Sequence, residues 1–426
     1  MEKLGIAKSV AEVVEGAQHP PVQSGNGKLC GGKLRIGIVT PLCPTRLEPY
    51  RGRPISQTAL ALQRRADVEM FYPQATFPRW RMFQPRKFLY SDVDSQLFPP
   101  GLRAQHIPYP AFPLLSRPYN GKTCSRYLIR LLRESRPDVI LAYWLYPEGY
   151  GALLAGEKLG IPVILGARGS DLPAQPDPLT EKLLRESLRR ASFVLTVSDE
   201  LRERALRLGT AAERVRTVPN GLDSTEFPVS DRRSARAALD ISHDAQLALF
   251  IGRLHPVKGL EELLKAAGLL VSSHPRLNLI LIGEGPLEEK LRSQAARDGL
   301  TGRIRFLGKQ SQPDVARWIA ASDLLCLPSH SEGCPNVVLE ALACGRPVVA
   351  SRVGAVPDLV NSECGILVPP GDVPRLAEAI HEAIGRRWDE AVIAAQSSRS
   401  WNDVAAETYQ VCCEVAEKHA PAGFGA

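Results

Sequence analysis

From residue 33 to the C-terminus, short apolar runs of strand length alternate with amphipathic stretches of helix length. Parallel strands need a crossover between them, so this alternation predicts parallel sheets with helices on both faces. A first series holds the strands LRIGIVT, VEMFYP, PDVILAYW, IPVILGARGSD, SFVLTVS and RVRTVPNGLD, separated by helical patterns such as LTEKLLRESLRRA and DELRERALRLG. A second series holds LALFIGRL, LNLILIGEG, IRFLG, DLLCLPS, PVVASRV and CGILVPPG, again with helices between them. The two meet near residues 223–228. At 426 residues the chain exceeds one ordinary core, so two doubly wound α/β domains are expected, with ligands at the carboxyl ends of the strands. The expected division is a mobile extension over 1–32, Rossmann-like domains over 33–225 and 226–392 facing across a cleft, and a C-terminal segment 393–426. Within that segment SWNDVAAETYQVCCEVAEK reads as a helix whose apolar stripe needs a surface to cover it. The stretch 73–118 is crowded with proline and aromatics and is expected to be largely irregular.

Hydrophobic content of 44% and charged content of 23% suit a globular chain, and no run approaches the roughly 20 apolar residues of a membrane span. The first residues, MEKLGIAKSVAEVVEGAQHP, contain acids and no long apolar core, so they do not read as a secretory signal, and a cytoplasmic protein is expected. Charge is uneven: residues 1–230 carry 32 Lys+Arg against 22 Asp+Glu, while the remainder is slightly acidic. A basic first half faces an anionic membrane, an acidic substrate or nucleic acid, or is simply an arginine-rich solvated surface. The nine cysteines have no paired metal spacing and read as reduced, mostly structural thiols.

Three segments of the second series could carry chemistry. In GRLHPVKG, Gly252 permits a tight turn while Arg253 and Lys258 bracket a helix start; this is either a diphosphate site or a pair of ordinary loop cations. In GEGP, Gly283 and Gly285 let a ligand approach the backbone, although a strand-to-helix turn needs glycine anyway. The pattern is neither the dinucleotide GxGxxG nor a P-loop. The third is SEGCPNVVLEALACGRPVVAS. Pro335 suits a helix start and leaves the amides of Asn336, Val337 and Val338 facing an anion. Glu332 precedes that helix, and Glu340 lies within it among Val, Leu and Ala, where a carboxylate needs hydrogen-bond partners. Sugar or ribose hydroxyls fit, and so does a neighbouring arginine.

The pattern S-x-x-E-G-x-P-N-V-x-L-E-A-x-A-x-G-x-P-V-V-A resembles the signature of the retaining glycosyltransferases of family four, GT-B-fold enzymes that use nucleotide-diphosphate sugars. GRLxxxKG, GEGP, IRFLG and PNGLD occur in the order such enzymes show; GSDL and TVSDELRE are the clearest matches in the first half. The resemblance implies that Arg253 and Lys258 hold the donor diphosphate, Glu332 bonds the transferred sugar and Glu340 the ribose. It places Gly252, Gly283, Gly285, Gly333, Cys334, Pro335, Asn336, Val337 and Val338 around the donor, and Arg305, Phe306 and Leu307 near the base. It implies no obligatory cofactor and no metal, with Arg and Lys stabilising the leaving group instead.

Arg168 stands where many such enzymes carry a histidine before Gly-x-Asp (here Asp171), and an arginine cannot serve as a base at neutral pH. Gly52 keeps one residue of a loop that is often Gly-Gly. Tyr146 and Glu148 follow a strand and are expected to face the cleft and shape the acceptor site, or else to belong to an aromatic cluster. The implied activity is transfer of a hexose-type sugar to a hydroxyl of a glycan or lipid-linked acceptor, with peripheral contact to the inner face of the membrane and no nucleic-acid partner. A non-catalytic sugar-nucleotide binder or an epimerase on the same fold are the alternatives.

Overall fold

The computed structural model describes residues 33–46, 48–77, 93–112 and 116–419, all within the compact unit Lys33–Ala426; the expected extension 1–32 lies outside the described residues. The first sheet holds β1 (Arg35–Val39), β2 (Asp67–Thr76), β3 (Arg103–Pro110), β4 (Val139–Tyr143), β5 (Val163–Ala167), β6 (Phe193–Thr196) and β7 (Val215–Thr217), in the spatial order β3-β2-β1-β4-β5-β6-β7. The second holds β8 (Gln246–Ile251), β9 (Leu277–Ile282), β10 (Ile304–Phe306), β11 (Leu324–Leu327), β12 (Val348–Ser351) and β13 (Gly365–Val368), in the order β10-β9-β8-β11-β12-β13. Every pairing in both sheets is parallel.

The crossover helices of the first half are α1 (Arg53–Leu62), α2 (Asn120–Ser135), α3 (Tyr150–Leu159), α4 (Pro178–Arg190) and α5 (Asp199–Arg207). The second half adds α6 (Arg232–Ala238), α7 (Leu260–Leu269), α8 (Glu288–Arg297), α9 (Gln312–Ala321), α10 (Asn336–Ala343), α11 (Val356–Leu359), α12 (Val373–Gly385) and α13 (Glu390–Ala395), and α14 (Trp401–His419) closes the described chain. Strand order reverses between β1 and β4 in one sheet and between β8 and β11 in the other. Crevices open beyond the carboxyl ends of strands at such points. Loops after β1 and β4 therefore meet on one side, and loops after β8 and β11 on the other.

One expectation fails for part of its span. Within 73–118, residues 78–92 and 113–115 lie outside the described residues, while β2 continues through Pro73 to Thr76 and β3 pairs with it from Glu69↔Arg103 to Thr76↔Pro110. Both prolines of β3 fit because this is an edge strand. The Ala111 amide donates to the Thr76 carbonyl at 2.9 Å, so with a period of two the amide positions 107, 109 and 111 face β2 while Pro108 and Pro110 face outward. Pro73 is tolerated because it lies past the end of β1, whose last residue Val39 is opposite Phe71. Helix α2 occupies a stretch that the sequence reading assigned to no element; Cys124, Leu128 and Leu132 at i, i+4 and i+8 bury its inner face.

Helix α14 packs on α1. Trp401, Val404, Ala405, Val411, Cys412 and Val415 join Ile55, Ala59 and Leu62 in the core on one face of the first sheet. The chain reaches it through a close crossing, where Leu222 N–H donates to the Arg399 carbonyl and a Cβ on Gly221 would lie 2.5 Å from Ser400 backbone. The eight described cysteines are all free thiols.

Candidate active site

The β8 loop and the β11 loop lie against each other because glycine lets them. Gly259 has φ +63°, and a Cβ there would sit 2.0 Å from the Pro328 carbonyl oxygen. This contact carries Lys258 to Glu332: Nζ lies 2.6 Å from Oε1, and Ser329 Oγ donates to the same oxygen at 2.6 Å. The Glu332 side chain is only 8% exposed, so the lysine charge opposite it offsets part of the cost of burying the carboxylate. Among the described residues its Oε2 has no hydrogen bond. Arg253, at the head of the same loop, is exposed and enters no ion pair among the described residues.

Gly283 and Gly285 have a packing reason to be glycine. A Cβ on Gly283 would sit 2.0 Å from the Gly252 carbonyl oxygen, and one on Gly285 2.3 Å from that of Leu254. Arg305, Phe306 and Leu307 form and follow the edge strand β10, separated from β8 by β9. The exposed Arg305 guanidinium lies 5.6 Å from the Trp318 ring centroid, and Arg292 stacks at 4.3 Å over Phe306. Gln310 Nε2 donates to the Leu307 carbonyl at 2.7 Å. Among the described residues no hydrogen bond or ion pair joins these side chains to Lys258 or Glu332.

Helix α10 begins after Pro335, which stands at its N-cap with no side-chain cap. The amides of Asn336 and Val337 have no helical partner, as at any helix start. Val338 differs from the expectation of three free amides: its N–H donates to the Pro335 carbonyl at 3.1 Å. Glu340 lies one turn further on and keeps a partly exposed edge. Burial pushes its carboxyl up to about 7, opposed by the charge of Arg53 and a hydrogen bond to Gln312, and reinforced by Glu226. Arg53 and Glu226 form an ion pair of their own. Arg53 opens α1 directly after Gly52, which has φ +74° and whose Cβ would meet the Leu42 carbonyl at 1.9 Å. The β1 loop thus faces Glu340 across the cleft. Sequence reasoning missed Arg53 and Glu226, although Arg53 directly follows Gly52, which it singled out, and Glu226 lies three residues past PNGLD.

The β5 loop makes the second crossing. Asp171, 7% exposed, accepts from the amides of Arg168 and Gly169 through Oδ1, both at 2.9 Å, which shapes the turn. Among the described residues its Oδ2 has no hydrogen-bond partner, and burial raises its carboxyl above its ordinary value. Arg168 donates through Nη2 to Asn220 Oδ1 at 2.6 Å and stacks 5.4 Å from the Tyr143 ring centroid. Burial pulls its guanidinium below its usual value, yet it remains a cation. The Arg168 backbone meets the other domain directly: a Cβ on Gly333 would lie 2.1 Å from the Arg168 carbonyl oxygen. Asn220 donates onward to the Cys334 carbonyl at 3.0 Å and to Asn336 Oδ1 at 2.7 Å. Asn220 is another residue the sequence reading passed over, although its motif was noted.

Tyr146 and Glu148 part company. Tyr146 lines a cavity of about 340 Å³ with Trp144, Asn120, Asp171 and Arg117, and its hydroxyl donates to the Arg117 carbonyl. Glu148 is buried, and the charge of Arg51 from the β1 loop acts on it. It is 5% exposed, accepts from the Tyr109 hydroxyl at 2.8 Å, and burial pushes its carboxyl up to about 7. The reason is the turn after β4, which sends Tyr146 outward and Glu148 under the sheet edge beside Cys124. Among the described residues no cluster of three or more His, Cys, Asp or Glu could hold a metal ion.

Residues 245–386 match the family profile described as glycosyl transferases group 1, and residues 52–221 match that of the glycosyl transferase 4-like domain. A D-inositol 3-phosphate glycosyltransferase of Saccharomonospora viridis is 32% identical over 368 residues, covering 80% of this chain and 82% of its own. The chain belongs to the group 1 glycosyl transferases. A putative teichuronic acid biosynthesis glycosyltransferase of Bacillus subtilis is 34% identical over 260 residues, 59% of this chain and 64% of its own. The fold of this glycosyltransferase is shared with a sucrose-phosphate synthase from Thermosynechococcus elongatus (TM-score 0.71, 21% identity, 91% of this chain and 100% of that one). It is shared too with the Anabaena protein HepE in complex with UDP (TM-score 0.69, 20% identity, 89% and 100%). Two parallel-sheet Rossmann-like domains in this arrangement are the GT-B fold.

Proposed function

We propose that this glycosyltransferase is a retaining enzyme that moves a hexose-type sugar from a nucleotide-diphosphate sugar to a hydroxyl of a glycan or lipid-linked acceptor, in polysaccharide or glycolipid biosynthesis. The observation that carries this reading is the Lys258–Glu332–Ser329 cluster beside the open first turn of α10, at one strand-order reversal and opposite the loops of the other. Arg253 and Lys258 hold the diphosphate and offset the charge that develops as it leaves. The amides of Asn336 and Val337 receive phosphate oxygens. Glu332 accepts from sugar hydroxyls and Glu340 from the ribose, where two hydroxyls replace the water that its partly exposed edge now meets.

On this reading the bond from the acceptor oxygen to the anomeric carbon forms on the face from which the phosphate departs. The acceptor proton passes to a diphosphate oxygen, because Arg168 offers no base. The family resemblance supports retention, and HepE, whose structures include complexes with UDP and with UDP-glucose, supports a nucleotide-sugar donor. The domain over 33–225 takes the acceptor and that over 226–392 the donor. The exposed Lys122, Arg126, Arg130 and Arg133 along α2, with Tyr119 and Tyr127 beside them, support a lipid-linked acceptor met at the cytoplasmic membrane face. Among the described residues no helix is long and apolar enough to cross a membrane, so contact there would be peripheral.

The test incubates purified protein with a panel of nucleotide sugars and lipid-linked acceptors, follows nucleotide release, and determines the anomeric configuration of the product. No release from any donor refutes the activity; inversion at the anomeric carbon refutes retention.

A further inference from the structure

Asn220, directly after β7 and 4% exposed, is held by three partners, and two of them dictate which way its amide faces. A guanidinium only donates, so the atom facing Arg168 is the carbonyl oxygen. A backbone carbonyl only accepts, so the atom facing Cys334 is the amide nitrogen. Both protons of that nitrogen are then used, one on the Cys334 carbonyl and one on the Asn336 side chain. Asn336 must present Oδ1 to Asn220, and its own NH2 group turns the other way. Among the described residues that group has no partner, and it stands at the first residue of α10, beside the open amides of Asn336 and Val337.

We propose that Arg168, Asn220 and Asn336 form a one-way hydrogen-bond relay across the domain contact, and that it presents the Asn336 NH2 as a further donor to the diphosphate. Asn220 is the positioning residue; it touches no substrate. The proposal rests on the nucleotide-sugar reading above. The start of the relay is rigid. Asp171 Oδ1 holds the Arg168 and Gly169 amides, and the guanidinium rests against Tyr143. An imidazole at 168 could donate or accept and would leave the direction open; arginine leaves one direction only. Arg168 and Asn220 come from loops of the first sheet, Cys334 and Asn336 from the second, so the donor hand is set only while the two domains touch.

The test is a double-mutant cycle on binding of nucleoside diphosphates, with UDP, ADP and GDP titrated in parallel by calorimetry and the tightest carried forward. In Asn220→Asp the new carboxylate pairs with Arg168 but cannot donate, so Asn336 rotates and turns its oxygen to the diphosphate. A donor replaced by an acceptor against a charged group is expected to weaken binding about tenfold or more. Thermal unfolding of the nucleotide-free protein is expected to stay near that of the parent. In an Asn336→Ala background the same Asn220→Asp change is expected to alter affinity by less than about twofold. A merely structural Asn220 would give equal losses in both backgrounds, and that result overturns the relay, as does parental affinity in Asn220→Asp. If Asn220→Asp does not fold, Asn336→Asp is compared with Asn336→Ala. The carboxylate of Asn336→Asp still accepts from Asn220 but turns an anionic oxygen outward, so weaker binding than in the alanine variant supports the relay and equal binding overturns it. A parent protein that binds none of the three nucleotides overturns the nucleotide-sugar reading and the relay with it; uncoupled variants of a parent that does bind overturn the relay alone.

Discussion

Replacing Lys258 by methionine keeps the aliphatic stem and removes the charge that faces Glu332. The structure leaves that carboxylate 8% exposed, with Ser329 as its one remaining donor. Stripping one partner from a buried ion pair costs about 3–5 kcal/mol when nothing compensates. Here Ser329 compensates in part, retaining a hydrogen bond to a charged group, of order 1.5 kcal/mol or more. A net loss of about 2–3 kcal/mol of stability is therefore expected, read by denaturant titration. Turnover should fall further, by about 10²–10³, the size of effect that follows loss of a single preorganised group facing transition-state charge. The double variant Lys258→Met/Glu332→Gln separates the two effects. A neutral amide beside methionine removes the stranded charge, so stability is expected to recover to within about 1 kcal/mol of the parent, while nucleotide release stays at the level of the single variant or below. Turnover of Lys258→Met within threefold of the parent, or rescue of turnover along with stability in the double variant, would refute the role assigned to this pair.

Two further outcomes follow from the geometry. Glu148 has a carboxyl raised from its ordinary value to about 7, so its contribution to stability is fully present below about pH 4.5 and is lost as pH rises through 7. Between pH 4.5 and 8 the stability of Glu148→Gln relative to the parent is expected to improve by on the order of 3 kcal/mol, and parallel pH–stability curves would contradict that burial. Gly333→Ala places a methyl 2.1 Å from the Arg168 carbonyl oxygen, so the loops must part. Loss of turnover by more than about tenfold is expected, with thermal unfolding lowered by only a few degrees because the strain sits at a contact between domains rather than within either core; a variant with parental kcat would show that the contact is not needed.

Much of the fold was legible because its signals are local. Strand-length runs of Val, Ile and Leu between amphipathic stretches report burial on both faces of a parallel sheet, and they report it within a window of ten or so residues. Where the sequence reading failed, proline was weighed by density. What mattered was whether each missing amide faced a neighbour. Pro108 and Pro110 face outward from an edge strand, and nothing in RAQHIPYP says that the strand lies at an edge. Glu148 illustrates the same limit, since two residues of one turn, Tyr146 and Glu148, end in a cavity wall and in the interior.

The sequence by itself determined the parallel α/β architecture, the loops that follow each strand, and the Glu-x7-Glu stretch whose resemblance named the family. It placed Lys258 and Glu332 on their loops, 74 residues apart, without saying that they touch. Tertiary structure decided the partners. The reversal of strand order brings the loops after β8 and β11 together, and the facing sheet supplies Arg53 to Glu340 and Asn220 to Asn336. The physical reason is the range of each effect: propensity and periodicity act between residues a few positions apart, whereas a hydrogen bond or an ion pair depends on distance in space, which only the assembled crossovers set.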